Sequence, residues 1–360
     1  MKIVLAGGGT AGHIEPALAV ARAWRSQHPK DQIEFLGTAS GLENQLVPAA
    51  GFKLSHIPKV IIPRKLSLSL FVAPTTLTQA FLQARSTLKG ADLLIGFGGY
   101  VSAPAYLAAR SLKIPLVIHE ANAKPGLANR LGALFTNHLA VAQPVHNGKL
   151  SKALITGLPL RADVANALES SSQDWASARS KAKKSLDFDS AAPVIAIFFG
   201  SQGSVALNKV IAASLKTFAA SGVQILHAVG KANPLPSPAH GYKPVSYIED
   251  MASTYLAADL IISRSGAVTC SEVNALGKYA LFIPLPIGNG EQKVNARQVI
   301  AQSRGEIVDQ SDFTPEWVEK HIDRLLANAA SASPAGNCSD SAATEKIVAL
   351  MESALQGGKQ

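Results

Sequence analysis

The chain has only two cysteines in 360 residues, Cys270 and Cys338. Two thiols cannot build a disulfide framework or a multi-cysteine zinc module, and they suit a reducing compartment. Charge is also scarce, at 16% of residues against about 25% in an average soluble domain. Together with 47% hydrophobic residues, this excludes a disordered chain, a coiled coil and a charged nucleic-acid tail. Long apolar runs are missing. The uncharged stretch Leu66 to Ala84 contains Pro74, three threonines, two serines and two glutamines, which argues against a membrane span. The opening Met1-Lys2-Ile3-Val4-Leu5-Ala6 runs straight into glycines, too soon for a secretory signal. A cytoplasmic, soluble chain that can still touch a membrane is the expectation. Its length predicts two domains at roughly 150 residues each.

Acidic residues are absent over one whole region. From Asn44 to Ala91 there is none, against six basic residues: Lys53, Lys59, Arg64, Lys65, Arg85 and Lys89. Residues 1–160 hold 16 basic and 6 acidic residues, and residues 161–360 hold 18 and 19, so the first half carries the whole excess behind the net +9. The same region holds Val60-Ile61-Ile62 and Leu66, Leu68, Leu70, Phe71 and Val72. Basic residues flanking an apolar patch suit peripheral contact with anionic lipid. A nucleic-acid partner is not expected, because no basic cluster is interleaved with aromatics.

Short apolar runs alternate with helical patterns. Lys2–Ala6, Gln32–Leu36, Leu93–Ile95 and Pro115–Ile118 predict strands, with helices at about His13–Trp24 and Ala103–Ser111. The pattern restarts with strands at Val194–Phe199, Ile225–Val229, Leu260–Ile262 and Ala280–Ile283, and a helix at Ala206–Ala219. Strands alternating with helices imply parallel sheets covered on both faces. The fold class predicted is α/β, with two tandem doubly wound Rossmann-like domains and a ligand cleft between them. The division predicted is 1–161 and 162–343, with a last helix at 344–356 packing back on the first domain. Segment 165–192, rich in Ser, Ala and Lys, reads as a junction, and 331–343 as a loop.

Glycine turns follow the first strand of each half. Gly7-Gly8-Gly9-Thr10-Ala11-Gly12 matches G-x-G-x-x-G, but the second strand ends Phe35-Leu36-Gly37-Thr38, without the acid a dinucleotide fold needs. A nicotinamide or flavin cofactor is therefore not expected, and none is assigned. The turn still presents backbone N–H groups and a positive helix end to an anion. His13 follows at once, where an imidazole can accept a hydroxyl proton near neutral pH.

Gly200-Ser201-Gln202-Gly203 is a second anion-binding turn, and Ser263–Gly266 a third, suited to a diphosphate. Glu272, one helical turn into the following helix, suits ribose hydroxyls, and the amides of Gln292 and Asn295, after Gly288-Asn289-Gly290, suit sugar hydroxyls. Cys270 reads as small packing. Asp187-Phe188-Asp189 matches a D-x-D metal pattern but precedes a strand, so no protein-held metal is predicted.

These motifs, in this order, resemble the MurG family of bacterial peptidoglycan N-acetylglucosaminyltransferases, from Met1 to about Asp309. The family opening G-G-T-G-G-H-x-x-P is matched by Gly8-Gly9-Thr10-Ala11-Gly12-His13-Ile14-Glu15-Pro16. Leu36-Gly37-Thr38, Gly96-Phe97-Gly98-Gly99-Tyr100-Val101-Ser102, His119-Glu120-Ala121-Asn122, Pro125–Asn129, Thr156–Arg161, Gly200–Gly203 and Tyr247–Met251 follow, then Ser263–Glu272 and Gln292 with Asn295. The resemblance implies the glycosyltransferase-B fold and transfer of GlcNAc from UDP-GlcNAc to the C4 hydroxyl of MurNAc in undecaprenyl-pyrophosphoryl-MurNAc-pentapeptide (lipid I). Inversion would give the β-1,4 linkage of lipid II.

The resemblance also implies residue roles. Ser201, Ile248, Ala267, Val268, Thr269, Cys270, Ser271, Glu272, Gln292 and Asn295 hold UDP-GlcNAc, with Ile248 on uracil and Glu272 on ribose. Thr10, Ala11, Gly12, Asn122 and Arg161 complete the donor site. Gly8, Gly9, Gly98, Gly99 and Tyr100 take the acceptor pyrophosphate, and His13 is the base. The partners implied are UDP-GlcNAc, lipid I in the cytoplasmic leaflet and an anionic membrane surface, with cell-wall synthesis or division proteins as further candidates.

Three positions depart from the family. Ala11 replaces a glycine, Leu158 replaces the asparagine before Pro159, and Phe199 stands where the second loop has glycine. They leave rivals on the same fold: another UDP-sugar glycosyltransferase, a UDP-GlcNAc 2-epimerase, or a non-catalytic UDP-sugar-binding protein.

Overall fold

The structure is a computed structural model that describes residues 1–60, 69–287, 290–332 and 340–357, without the side chains of 69–74. Ile61, Ile62, Arg64, Lys65, Leu66, Leu68, Gly288, Asn289 and Cys338 lie outside the described residues. So do the side chains of Leu70, Phe71 and Val72, and most of the 331–343 segment.

The chain forms two compact units, Met1–Arg161 with Asp340–Gln360, and Ala162–Ser339. The first holds seven parallel strands: β1 (Lys2–Gly7), β2 (Gln32–Gly37), β3 (Lys53–His56), β4 (Leu93–Gly98), β5 (Leu116–Glu120), β6 (His138–Val141) and β7 (Leu154–Ile155). Their order is β3-β2-β1-β4-β5-β6-β7. The central strands read as unbroken apolar runs because helices cover both faces. On one face Val4, Ala6, Leu94 and Ile118 pack with Ala80, Ala84 and Leu88 of the Ser69–Leu88 helix and Tyr106 of the Ser102–Leu112 helix. On the other, Ile3, Leu5, Ile95 and Val117 pack with Ile14, Leu18 and Trp24 of the Ala11–Gln27 helix. Ile347, Val348, Met351 and Ala354 of the final helix, Ala343–Gly357, join that second face.

The second unit holds six parallel strands: β8 (Val194–Phe198), β9 (Gln224–Ala228), β10 (Tyr242–Val245), β11 (Leu260–Ser263), β12 (Tyr279–Phe282) and β13 (Gly305–Ile307). Their order is β10-β9-β8-β11-β12-β13. Both units are doubly wound α/β sheets, as the strand-helix alternation predicts. The order reverses between β1 and β4 in one sheet and between β8 and β11 in the other. Chains leave such neighbours toward opposite faces, and the crevice beyond their carboxyl ends is where ligands of this architecture bind.

Some elements differ from expectation. The segment 165–192, whose composition suggests a junction, is mostly helical: Ala162–Gln173 and Trp175–Ser185, the latter capped by Asp174, which accepts from the Ser177 amide at 3.0 Å. The helix expected over 206–219 is broken into Val205–Ala213 and Leu215–Ala220. At the break the buried Ser214 donates its hydroxyl to the Val210 carbonyl at 2.9 Å, which also accepts the Ser214 amide at 3.0 Å, a shared acceptor of the kind that bends helices. Among the described residues, no helix is long and apolar enough to cross a membrane.

Beneath the second sheet lies a buried cation. Lys278 is 5% exposed, donates to the Ala258 carbonyl at 2.9 Å and stands 4.2 Å from the Trp175 ring centroid. Burial lowers its pKa to about 7, and the nearby Asp259 only partly opposes this. Below pH 7 the folded state carries the full cost of the buried charge. As pH rises toward the ordinary lysine value, the unfolded chain keeps a proton the folded chain has lost, so stability rises. Unfolding free energy from denaturant titration should therefore increase between pH 7 and pH 9.5. The Lys278→Met variant should show a flatter dependence, and an unchanged slope would remove Lys278 as its source.

Candidate active site

The first crevice is built from backbone. At the ends of β1 and β4 the register slips, pairing Ala6 with Gly96 and then Gly7 with Gly98. The loops beyond the two strands then touch. A Cβ on Gly99 would collide with the Gly8 carbonyl oxygen, and Gly99 has φ +89°, so only glycine fits there. Tyr100 lays its ring against Gly9, and the Lys59 ammonium lies 4.6 Å from that ring's centroid.

His13 points into this junction. Its Nδ1 lies 3.2 Å from the Gly8 carbonyl and 3.2 Å from the Thr10 hydroxyl. A carbonyl can only accept, so Nδ1 carries the proton of the neutral ring. Nε2 is then the basic nitrogen. It abuts Gly98, where an added Cβ would stand 3.2 Å away. Burial lowers the His13 pKa, while Glu120, the Gly8 carbonyl and Glu43 pull it back up. The net lowering favours the neutral imidazole.

The segment after β5 is organised by Glu120. Its Oε1 accepts from the Asn122 backbone and side-chain amides at 2.9 and 3.1 Å. Its Oε2 accepts from the Gly126 amide at 2.9 Å and Asn129 Nδ2 at 3.0 Å. Asn129 in turn accepts from the buried Tyr106 hydroxyl at 2.6 Å. His119, fully buried and held down to about 4 by that burial, donates Nε2–H to the Gly157 carbonyl at 3.0 Å. That bond anchors the Thr156–Leu160 segment, which leads to Arg161, the last residue before the second unit.

The second crevice is built around a buried guanidinium. Arg264, 9% exposed, donates to the Ile283 and Pro284 carbonyls at 2.9 and 3.1 Å, to Gln310 Oε1 at 2.6 Å and to the Ser204 hydroxyl at 3.4 Å. One side chain thus ties together the loops that follow β8, β11, β12 and β13. Gly200–Gly203 forms the turn before the Val205–Ala213 helix, whose cap Ser204 accepts from the Leu207 amide at 3.5 Å. Gly266 caps the Ala267–Ala275 helix, with Ala267, Val268 and Thr269 in its first turn and Cys270 and Ser271 next. The Cys270 thiol is buried, which raises its pKa and suits packing.

Glu272 is 1% exposed and accepts from the Tyr255 hydroxyl at 2.9 Å. Gln292 Oε1 accepts from the Leu285 amide at 2.9 Å, which turns its Nε2 group outward from that bond. Asn295 is buried, with Nδ2 3.4 Å from the Ser265 carbonyl. Ile248 is 7% exposed and packs in the core with Met251 and Tyr255. Asp187 pairs with Lys243 at 3.1 Å, and Asp189 accepts from the Ala191 amide at 2.9 Å. Both lie before β8, at the amino end of the strands.

The structure therefore brings together Gly8, Gly9, Thr10, His13, Gly98, Gly99 and Tyr100 at one reversal, and sets Ser201 and the Ala267–Glu272 helix at the other. The departures are accommodated. Ala11 begins the Ala11–Gln27 helix, where φ is negative and a Cβ costs nothing. Phe199 turns into the core beside Leu207 and Ile211, and Leu158 is 2% exposed. Sequence reasoning missed Glu43, Tyr255 and the role of Arg264. Glu43 had one signal, as the last acid before the acid-free stretch, set just after Gly37 and Gly41.

Residues 3–141 match the glycosyltransferase family 28 N-terminal domain, and residues 194–351 match its C-terminal domain. The UDP-N-acetylglucosamine–N-acetylmuramyl-(pentapeptide) pyrophosphoryl-undecaprenol N-acetylglucosamine transferase of Paenarthrobacter aurescens is 44% identical over 336 residues, covering 91% of this chain and 88% of the relative. The protein of the same name from Corynebacterium glutamicum strain R is 44% identical over 350 residues, covering 94% and 96%. Among solved structures, Acinetobacter baumannii MurG superposes with a TM-score of 0.68 at 28% identity, covering 98% of this chain and 99% of that one. The chain belongs to glycosyltransferase family 28, within the group of N-acetylglucosamine transferases that these relatives represent.

Proposed function

We infer that the chain transfers GlcNAc from UDP-GlcNAc to the C4 hydroxyl of MurNAc in lipid I, giving lipid II. The observation that carries the chemistry is the His13 imidazole. Its Nδ1 is committed to the Gly8 carbonyl, so its Nε2 is basic at the point where two glycine loops meet. The acceptor pyrophosphate lies along Gly8, Gly9, Gly98, Gly99 and Tyr100, with its sugar hydroxyl toward Nε2. His13 removes the hydroxyl proton as the oxygen attacks the anomeric carbon and the bond to UDP breaks, with inversion.

UDP-GlcNAc belongs to the second unit. The Gly200–Gly203 turn with Ser201 and the helix start at Ala267 stabilise the negative charge that grows on UDP as it leaves. Glu272, aimed by Tyr255, takes the ribose hydroxyls. Gln292 and Asn295 take sugar hydroxyls, and the Ile248 peptide takes uracil. Thr10, Ala11, Gly12, Asn122 and Arg161 are the first unit's contacts to the donor.

The chain works as a peripheral protein at the cytoplasmic face of the membrane. Its first 160 residues carry net +10, and each basic residue near an anionic leaflet contributes about 1 kcal/mol of attraction. Cell-wall synthesis or division proteins are its candidate protein partners.

UDP release should require a soluble lipid I analogue and should yield a β-1,4 disaccharide. Release without acceptor, with 2-epimerised sugar, would favour an epimerase, and binding without turnover a non-catalytic protein. His13→Ala should lower kcat roughly 10²–10⁴-fold with little change in the KM for UDP-GlcNAc. Near-normal kcat would remove His13 as the base. Tyr255→Phe should raise the KM for UDP-GlcNAc about 5-fold, the worth of one hydrogen bond, while leaving kcat at saturating donor nearly intact. An unchanged KM would separate Glu272 from donor binding.

A further inference from the structure

Glu43 is fully buried, and its carboxylate accepts three hydrogen bonds. Its Oε1 takes the Thr38 amide at 2.8 Å and the Thr38 hydroxyl at 2.9 Å, which fixes it to the end of β2. Its Oε2 takes the Gly9 amide at 2.9 Å. Three glycines enclose it. A Cβ on Gly8 would come 2.8 Å from Oε1, a Cβ on Gly37 2.6 Å from Cγ, and a Cβ on Gly41 would overlap the carboxylate.

The Gly9 N–H and the Gly8 C=O belong to one peptide unit. That peptide is trans, so the two groups point in opposite directions. One end of that peptide faces the Glu43 carboxylate, and the other faces His13 Nδ1 at 3.2 Å. The chain of contacts therefore runs carboxylate, peptide, imidazole. A carboxylate at the N–H end increases the electron density on the carbonyl oxygen, because hydrogen bonds in series polarise one another. A more polarised carbonyl is a stronger acceptor for Nδ1–H. It holds the ring in the tautomer with a basic Nε2 and stabilises the imidazolium once a proton arrives.

We propose that Glu43 is a positioning residue for His13, acting through the Gly8–Gly9 peptide rather than by contact with the ring or the substrate. It does for the imidazole, at one peptide's remove, what a directly bonded carboxylate does in a hydrolase triad. The proposal rests on the reading of His13 as base. Two other groups face His13: the Glu120 carboxylate at the end of β5, which also favours the protonated ring, and the Thr10 hydroxyl at 3.2 Å. Neither acts through the Gly8–Gly9 peptide.

A purely structural Glu43 and a positioning Glu43 differ in one readout. Glu43→Gln removes the charge and sets an amide against either Gly9 or Thr38. Thr38→Val removes only the hydroxyl arm and leaves the Gly9 arm in place. The acid limb of kcat/KM against pH, measured with the full chain and a soluble lipid I analogue, should move to lower pH in Glu43→Gln, because His13 loses support for its charged form. Its kcat should fall about 10-fold, less than the ~10²-fold or greater loss of a general base, with the KM for UDP-GlcNAc little changed.

Thr38→Val should lower the melting temperature and leave the limb where it is. Coincident limbs in the two variants would overturn the proposal, while near-normal kcat in His13→Ala would instead overturn the base itself. If Glu43→Gln does not fold, the wild-type chain still decides. Nitrogen-15 NMR of His13 should show the proton on Nδ1, and a proton on Nε2 would overturn the proposal.

Discussion

The close approach of two backbones, at Gly8 and Gly99, is the constraint on which the first unit's chemistry depends. Parallel strands at a reversal of strand order send their chains to opposite faces and leave a gap beyond their ends. Here the slipped register between β1 and β4 draws the two exits together until no side chain fits between them. That proximity gives His13 a carbonyl for Nδ1 and leaves Nε2 over the Gly98 backbone. It also lines the crevice with backbone, which a Cβ at either exit would disrupt.

The second unit uses the same reversal with different materials. Its loops are gathered by one buried cation, Arg264, which spends its hydrogen bonds on carbonyls and amides of the loops around it. A buried charge left unpaired is costly, so this arrangement commits the loops to Arg264 as firmly as it commits Arg264 to them. The loop after β11, which carries Arg264, is thereby tied to those after β12 and β13, and more weakly to Ser204 after β8. Each crevice thus has a largely buried charged group that organises it: the Glu43 carboxylate, which grips the glycine loop, and the Arg264 guanidinium, which grips the loops around it.

Much of this was legible in the sequence. The strands that read clearly, such as Val194–Phe198 and Leu93–Gly98, are central, and their burial on both faces makes them continuous apolar runs. Short strands at or near the sheet edges, such as Lys53–His56 and Tyr242–Val245, have mixed composition and gave no signal. The split at Ser214 was invisible because the apolar pattern runs on across it. In the site, residues on glycine turns stood out, since glycine reports backbone constraint directly. Glu43, Tyr255 and Arg264 did not, because their importance lies in partners 5 to 60 residues away in sequence, and no local pattern carries that.

The central claim is a division of labour, with acceptor diphosphate at the β1–β4 reversal and UDP-GlcNAc at the β8–β11 reversal. Hydrogen exchange of the full chain, with each ligand added alone, tests it most directly. UDP-GlcNAc should slow exchange chiefly in peptides covering 200–204 and 264–272, and a soluble lipid I analogue chiefly in those covering 7–13 and 96–102. Protection of the His13 and Gly98 loops by UDP-GlcNAc, with none at 264–272, would contradict it.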